Sequence, residues 1–281
     1  MKRFAVLLLT WAFANVVAMT TINRYERCAL ERESNLRPGI LNEFRELEIE
    51  TSTSAFPAPA KYRLYEPQIA GLHVKYPVVL YLHGAGERGF DNARQLRSVP
   101  SWLTESPFST RYSCFVVAPQ CPDRMNWQSF REASKSSSDE SADVIIKMLE
   151  SVLKDPAADC DRVYLIGYSM GSFGTWELAA EYPDYFAAVV PISGGASPEL
   201  SKRLSNVAVW ALHGDCDTVC AVEQTREIVS ALNIQGSGVR YTELTGVGHD
   251  AQDALLKNDA EILKWLFEQR RQRSFEKIAA E

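Results

Sequence analysis

The stretch VYLIGYSMGSFG, Val163 to Gly174, constrains the fold more than any other part of the chain. An apolar run from Val163 to Ile166 has the character of a buried strand, and a segment rich in Ala, Leu and Glu after Ser172 has the character of a helix. Between them lies Gly-Tyr-Ser-Met-Gly, a GxSxG pattern centred on Ser169. Such a pattern on a strand-to-helix turn pushes the serine hydroxyl clear of the backbone. Gly167 and Gly171 have a steric task there: without side chains, they let neighbouring backbone approach where larger residues would collide. Five letters recur by chance, so it is the strand before and the helix after that give the match its weight.

The rest of the chain supplies a matching frame. Apolar runs at Pro77 to Leu82, Cys114 to Ala118, Phe186 to Ile192 and Val207 to Leu212 read as strands covered on both faces, and KYRLYEP, Lys61 to Pro67, alternates and stops at proline. Asp143 to Leu153 carries apolar residues at 144, 145, 148, 149, 152 and 153, one face of a helix, and further helices are expected within Asn92 to Thr104 and Val222 to Leu232. Strands alternating with helices predict an α/β fold, a doubly wound and mostly parallel sheet with helices on both faces. The 281 residues suit one large domain of this kind. A possible strand at Phe44 to Ile49 precedes TSTSAFPAPA, which reads as a linker, so the organised fold is expected to start near Ala60.

Lys2 and Arg3 precede an uncharged, largely apolar stretch from Phe4 to Asn23, which reads as a secretory signal peptide cut after Ala18. An uncleaved membrane anchor is the rival, and no later stretch is long and apolar enough to span a bilayer. The expected organisation is residues 1–18 as leader, 19–59 as an N-terminal extension and 60–281 as the catalytic domain, in a secreted or periplasmic protein. A net charge of −6 argues against a nucleic-acid partner, whose phosphates need clustered Lys and Arg. Six cysteines in an exported chain permit disulfides. Cys216 and Cys220 straddle Asp217, where they could form a bridge or remain free as small apolar residues.

A serine hydroxyl is a weak nucleophile until a base within hydrogen-bond reach takes its proton, and the base needs a group to orient it. Of the four histidines, His73 and His83 precede the serine, His213 ends a strand and leaves little room for an intervening acid, and His249 sits in TGVGHD. A chain order of Ser, acid, His therefore selects His249 as base. HGDCDTV follows a strand and offers Asp215 and Asp217. Asp217 is the expected acid, Asp215 is better placed to shape the turn, and Asp250 is a loop or capping residue. The oxyanion needs preoriented donors: the N–H of Met170, directly after the serine, and that of Ala85 in the HGAG loop. Gly86 and Trp127 are candidate pocket residues, with core packing the alternative for Trp127. The glycine-rich loop lacks GxGxxG and GK[ST], so phosphate binding is not expected, and neither cofactor nor metal is implied.

HGAGERG with a following DN, then APQCP, a Trp soon after, GYSMGSFGTW, HGDCD and GVGH, in that order, resemble the α/β-hydrolase carboxylesterases related to the phospholipase/carboxylesterase, dienelactone hydrolase and prolyl oligopeptidase groups. The resemblance implies an α/β-hydrolase fold, an acyl-enzyme mechanism, and Ser169, Asp217 and His249 as the triad. It implies a small-molecule or polymer-linked ester as substrate. Such folds often insert a cap domain between the last two apolar strands, and the short segment from Ser193 to Asn206 has no room for one. Ser172 stands where relatives often have glycine, and Ala251 and Gln252 where they often have an aromatic. The competing expectations are a serine peptidase and a catalytically silent binding protein on the same fold.

Overall fold

In a computed structural model, residues 36–50, 59–68, 73–134, 143–257 and 259–271 are described. The expected leader lies outside them, as do most of the linker (51–58) and residues 135–142, which hold all but the first residue of a serine-rich run from Ser134 to Ser141 that reads as an exposed loop. The chain divides after Pro38, and the architecture below is that of Gly39–Glu281; of the first unit only residues 36–38 fall among those described.

Eight strands form one sheet: β1 (Arg45–Ile49), β2 (Ala60–Tyr65), β3 (Tyr76–Leu82), β4 (Phe115–Pro119), β5 (Ala158–Tyr168), β6 (Ala188–Ile192), β7 (Ala208–Gly214) and β8 (Arg240–Leu244). Their order is β1-β2-β4-β3-β5-β6-β7-β8. The first two pairings are antiparallel and the remaining five parallel. Every residue of β3, β4 and β6 is buried, as parallel strands covered on both faces require.

Alternation along the strands sorts the core into two layers. Leu80, Val117, Leu165 and Ala211 join one apolar cluster with four helices: α1 (Trp127–Ser134), α2 (Val144–Leu153), α3 (Met170–Glu181) and α4 (Val222–Ile234). Tyr81, Tyr164 and Trp210 point the other way. There Tyr81 Oη meets Ser98 Oγ at 3.0 Å, Tyr164 Oη donates to the Gln269 carbonyl at 2.9 Å, and Trp210 packs edge-on against Trp265. Trp265 belongs to α5 (Asp259–Glu268), so this helix covers the second face. Each fully buried aliphatic side chain in these layers contributes about 1.5–3 kcal/mol.

Three helices on the first face are tied by a buried charge cluster. Asp143 accepts from the Ile145 amide as N-cap of α2 and also receives Arg131 Nε from α1, while Arg131 reaches Glu181 at the end of α3. Helix α3 buries nine of its twelve residues, which is why it shows no polar stripe.

The structure departs from the sequence expectation at several elements. The strand expected at Phe44 to Ile49 pairs with β2, so the sheet begins at Arg45 rather than near Ala60. The strand leading into the GxSxG turn, the elbow at Ser169, reaches back to Ala158, through polar Asp159, Asp161 and Arg162, because Ala158 pairs with Tyr76 before a register shift. The helix expected within Asn92 to Thr104 is broken into a 3-10 turn, Arg94–Leu96, and a short helix, Val99–Leu103; between them Ser98 takes φ 53° and Pro100 opens the new helix. The connection from β6 to β7 holds only the 3-10 helix Pro198–Arg203, and no cap domain stands there.

Candidate active site

Ser169 stands between the last residue of β5 and the first of α3, at φ 54° and ψ −118°. A non-glycine residue in that region costs on the order of 1–3 kcal/mol and persists where its surroundings over-determine it. Here the Ser169 amide donates to the Ile192 carbonyl at 2.8 Å, and the amides of Ser172 and Phe173 bond back to the Ser169 carbonyl. The two glycines have no alternative. A Cβ on Gly167 would lie 2.1 Å from Thr175 Oγ1 and 2.2 Å from the Gly171 carbonyl oxygen, and one on Gly171 would lie 1.8 Å from the carbonyl oxygen of Leu82. Helix α3 thus comes down directly onto the end of β3.

His249 follows β8 and brings its ring between Ser169 and Asp217. Nε2 is 2.8 Å from Ser169 Oγ, and Nδ1 is 2.8 Å from Asp217 Oδ2. The backbone at His249 is pinned by Ser193 Oγ, which donates to its carbonyl at 2.8 Å. Tyr168 packs its ring 5.3 Å from that of His249 and donates its hydroxyl to Asp250 Oδ1 at 3.0 Å. Burial and the hydrogen bond to Asp250 raise the Tyr168 phenol well above its ordinary range.

Asp217 lies on the loop after β7 with its side chain fully covered. Its Oδ1 accepts the amides of Val219 at 2.8 Å and Cys220 at 2.9 Å. Burial pushes the carboxyl up, but the hydrogen bonds from His249, Cys220 and Val219 together outweigh burial and hold it below the ordinary carboxylate range. Asp215 takes the turn-shaping part expected of it, accepting the Gly246 amide at 2.7 Å.

The HGAG loop lies against the serine: a Cβ on Gly84 would be 3.2 Å from the Tyr168 ring and 3.5 Å from Ser169 Cβ. Ala85 begins a single 3-10 turn there, Ala85–Glu87. Met170 is the first residue of α3, so its N–H has no acceptor within the helix and sits at the positive end of the helix dipole. Gly86 faces open space, where an added Cβ would meet nothing within 4 Å.

His83 is no base but the loop's anchor. Its Nε2 accepts from the Cys121 amide at 2.9 Å, which leaves the proton on Nδ1 to be donated to the Gly84 carbonyl at 2.6 Å. Complete burial pushes its pKa down to about 4. Trp127 supports it, donating Nε1 to the His83 carbonyl at 2.9 Å with its ring edge-on to the imidazole. Trp127 is 1% exposed, so its main part is packing, although its edge lines a small cleft of about 230 Å³ with Met170, Phe173 and Glu177. A larger cleft of about 560 Å³ runs between α1, α3 and α4 and shares Phe173 and Glu177, but neither Ser169 nor His249 lines it. The hydrogen-bonded chain, not the size of a cavity, marks the site.

Two features near the serine have no counterpart in the sequence reading. Burial and the Asp217 charge push the Cys220 thiol up. His213, rejected as a base, stands 3.1 Å from Asp217 Oδ2, the oxygen that His249 also meets. Cys216 and Cys220 are free thiols, as are Cys114, Cys121 and Cys160, so of the two alternatives for the first pair the structure takes the unbridged one. Among the described residues no group of His, Cys, Asp and Glu is arranged to hold a metal ion, and no helix is long and apolar enough to cross a membrane.

The sheet order, the elbow and the post-strand loops are those of the α/β-hydrolase fold, and known proteins bear this out. A solved structure titled as a thermostable esterase superposes with a TM-score of 0.70 at 32% identity, over 83% of this chain and 64% of that one. Poly(3-hydroxyalkanoate) depolymerase C of Paucimonas lemoignei is 27% identical over 143 residues, 49% of this chain and 32% of its own length. Feruloyl esterase B of Neurospora crassa is likewise 27% identical over 143 residues, covering 46% of its length. The chain therefore spans between about a third and under two thirds of the proteins it matches. The family model described as Esterase PHB depolymerase matches residues 60–260, from β2 to the start of α5 and across every residue of the hydrogen-bonded chain, and the protein belongs to that family.

Proposed function

We propose that the protein is an exported serine hydrolase that cleaves carboxylic esters through an acyl-enzyme. The observation that carries this reading is the unbroken chain from Asp217 through His249 to Ser169, 2.8 Å at each joint. Ser169 Oγ attacks the ester carbonyl while His249 Nε2 takes its proton. Asp217 keeps the other imidazole proton on Nδ1 and stabilises the imidazolium that forms. The amides of Met170 and Ala85 receive the oxyanion, each worth about 2.7–4 kcal/mol of transition-state stabilisation. His249 then returns the proton to the departing alcohol, and water repeats the sequence on the acyl-serine. No step requires a cofactor.

The names of the relatives suggest which esters to try first: hydroxyalkanoate oligomers and feruloyl esters, small or polymer-linked. We read residues 1–18 as a leader cut after Ala18, 19–59 as an extension that lends β1 to the sheet, and 60–281 as the catalytic domain. N-terminal sequencing of the exported protein tests the leader, and a start at Met1 refutes it.

For the chemistry, wild type and Ser169→Ala are treated with a fluorophosphonate probe and a panel of nitrophenyl esters and peptides. The wild type labels and hydrolyses esters, and the variant loses on the order of 10⁶ in rate. Labelling that survives in the variant removes Ser169 from its role. An unlabelled wild type favours a binding protein on the same fold, and cleavage of peptides alone makes it a peptidase.

A further inference from the structure

We propose that His213 is a positioning residue for the acid: its imidazole, held by Thr225, donates from Nε2 to Asp217 and keeps that carboxylate in line with His249. The inference rests on the triad reading of Ser169, His249 and Asp217. His213 is the penultimate residue of β7 and is completely buried. Its Nε2 lies 3.1 Å from Asp217 Oδ2 and 3.1 Å from the Cys220 carbonyl oxygen, and its Nδ1 lies 2.7 Å from Thr225 Oγ1.

The partners place a proton on Nε2. Carboxylate and carbonyl oxygens only accept, so Nε2 is the donor to both. Nδ1 is held by Thr225 Oγ1, which also donates to the Gly194 carbonyl at 3.2 Å. That carbonyl receives Ser172 Oγ at 2.8 Å and Trp176 Nε1 at 3.1 Å as well, both from α3, so Thr225 ties the ring to that helix.

The carboxylate then has four donors, two on each oxygen. Oδ1 takes the amides of Val219 and Cys220, which belong to the same loop as Asp217 and move with it. Oδ2 takes His249 Nδ1 and His213 Nε2. Of the four, only the His213 donor comes from the sheet. Two donors on one oxygen leave the carboxylate plane free to turn about Cβ–Cγ, and a second anchor on the other oxygen fixes it. The plane is therefore fixed whether or not His249 is in place, including while the imidazole carries the proton from Ser169 to the leaving group. His213 also shares its proton with the Cys220 carbonyl, so the same side chain holds the acid and the loop whose amides bind its other oxygen.

The test compares His213→Leu, which fills the space without a donor, with His213→Gln, whose amide nitrogen reaches where Nε2 stands. Three quantities are read on folded protein, checked by circular dichroism: kcat and KM for a nitrophenyl ester, the fluorophosphonate labelling rate, and the downfield proton NMR resonance of the His249 Nδ1–H bonded to Asp217. His213→Leu is expected to lower kcat and labelling about 10- to 100-fold with KM unchanged, as misplacement of a catalytic group does, and to move or broaden the resonance. His213→Gln recovers most of the rate and the resonance. Thr225→Val removes the hydroxyl while nearly keeping the volume, so it reads the same relay if His213→Leu does not fold; it too lowers kcat and shifts the resonance. The proposal is overturned if the folded Leu variant, or Thr225→Val in its place, keeps wild-type kcat and resonance, or if Gln is as impaired as Leu. A wild type that fails to label defeats the esterase reading instead, and the resonance across the variants still tells whether His213 orients Asp217 and His249.

Discussion

At the scale of single residues, charge placement carries the site. Asp217 is an acceptor for its loop amides and for two imidazoles, and in the proposed reaction its part is to keep the His249 proton on Nδ1. Asp217→Asn keeps the shape but offers His249 an amide that can donate as well as accept, which favours the wrong tautomer. The expected loss in kcat is on the order of 10⁴, measured with a nitrophenyl ester on protein whose melting temperature shows it folded. His83 makes a second prediction, about stability. With a folded pKa of about 4 against an ordinary 6.5, it stays neutral in the fold where the unfolded chain binds a proton. Between those values the unfolded state holds more protons, so stability is complete above pH 6.5 and falls as the pH drops towards 4, by up to about 3 kcal/mol. Urea titrations from pH 7 to 4 give that slope, and His83→Gln should flatten it; an equal slope in the variant assigns the loss to other groups.

At the scale of elements, the elbow works because α3 is pressed against the end of β3 with no room for a methyl group. Gly171→Ala puts a Cβ 1.8 Å from the Leu82 carbonyl oxygen, a backbone atom that cannot swing aside. Either α3 lifts or β3 bends, and both move Ser169 relative to His249. We expect a loss of stability on the order of 3–5 kcal/mol, with fluorophosphonate labelling reduced in whatever folds. Gly86→Ala, where the added Cβ meets nothing within 4 Å, should melt within a few degrees of wild type. Much of this was legible beforehand, for a physical reason: Ser169, Asp217 and His249, which the structure brings into one hydrogen-bonded chain, each sit just past a strand, where local pattern and chain order are informative. The HisGly at 213 and 214 showed equally well as a strand end, but the task of its imidazole depends on Thr225 and Asp217, a contact set by packing. The edge strand β8, RYTEL, escaped notice because none of its residues is fully buried and its alternation is weak. The broken helix around Pro100 and the polar start of β5 were hidden for similar reasons, being set by partners far along the chain.

At the scale of the whole molecule, the helices of the first face must be held in register for the elbow to keep its geometry, and Arg131 does much of that holding. It is 3% exposed, between Asp143, which is completely buried and caps α2, and Glu181 at the end of α3. Burial alone would lower the Arg131 pKa, and the two carboxylates more than reverse this, so the guanidinium is held above its ordinary range. Replacing it with methionine keeps much of the volume but leaves the Asp143 carboxylate in the core without its cation. Breaking one side of a buried pair typically costs about 3–5 kcal/mol, so urea unfolding of Arg131→Met should show a loss of that size. Replacing Asp143 with asparagine in the same chain removes the stranded charge and keeps a capping oxygen for the Ile145 amide. The double variant should therefore be more stable than Arg131→Met alone, and the two losses should fall short of adding. The ester turnover of the folded fraction, counted by fluorophosphonate titration, should stay near wild type in all three, because none of these groups touches Ser169, His249 or Asp217. Strict additivity would mean that Arg131 stabilises through its packing alone, and a fall in turnover per labelled site would mean that the register of α3 reaches the serine through this cluster.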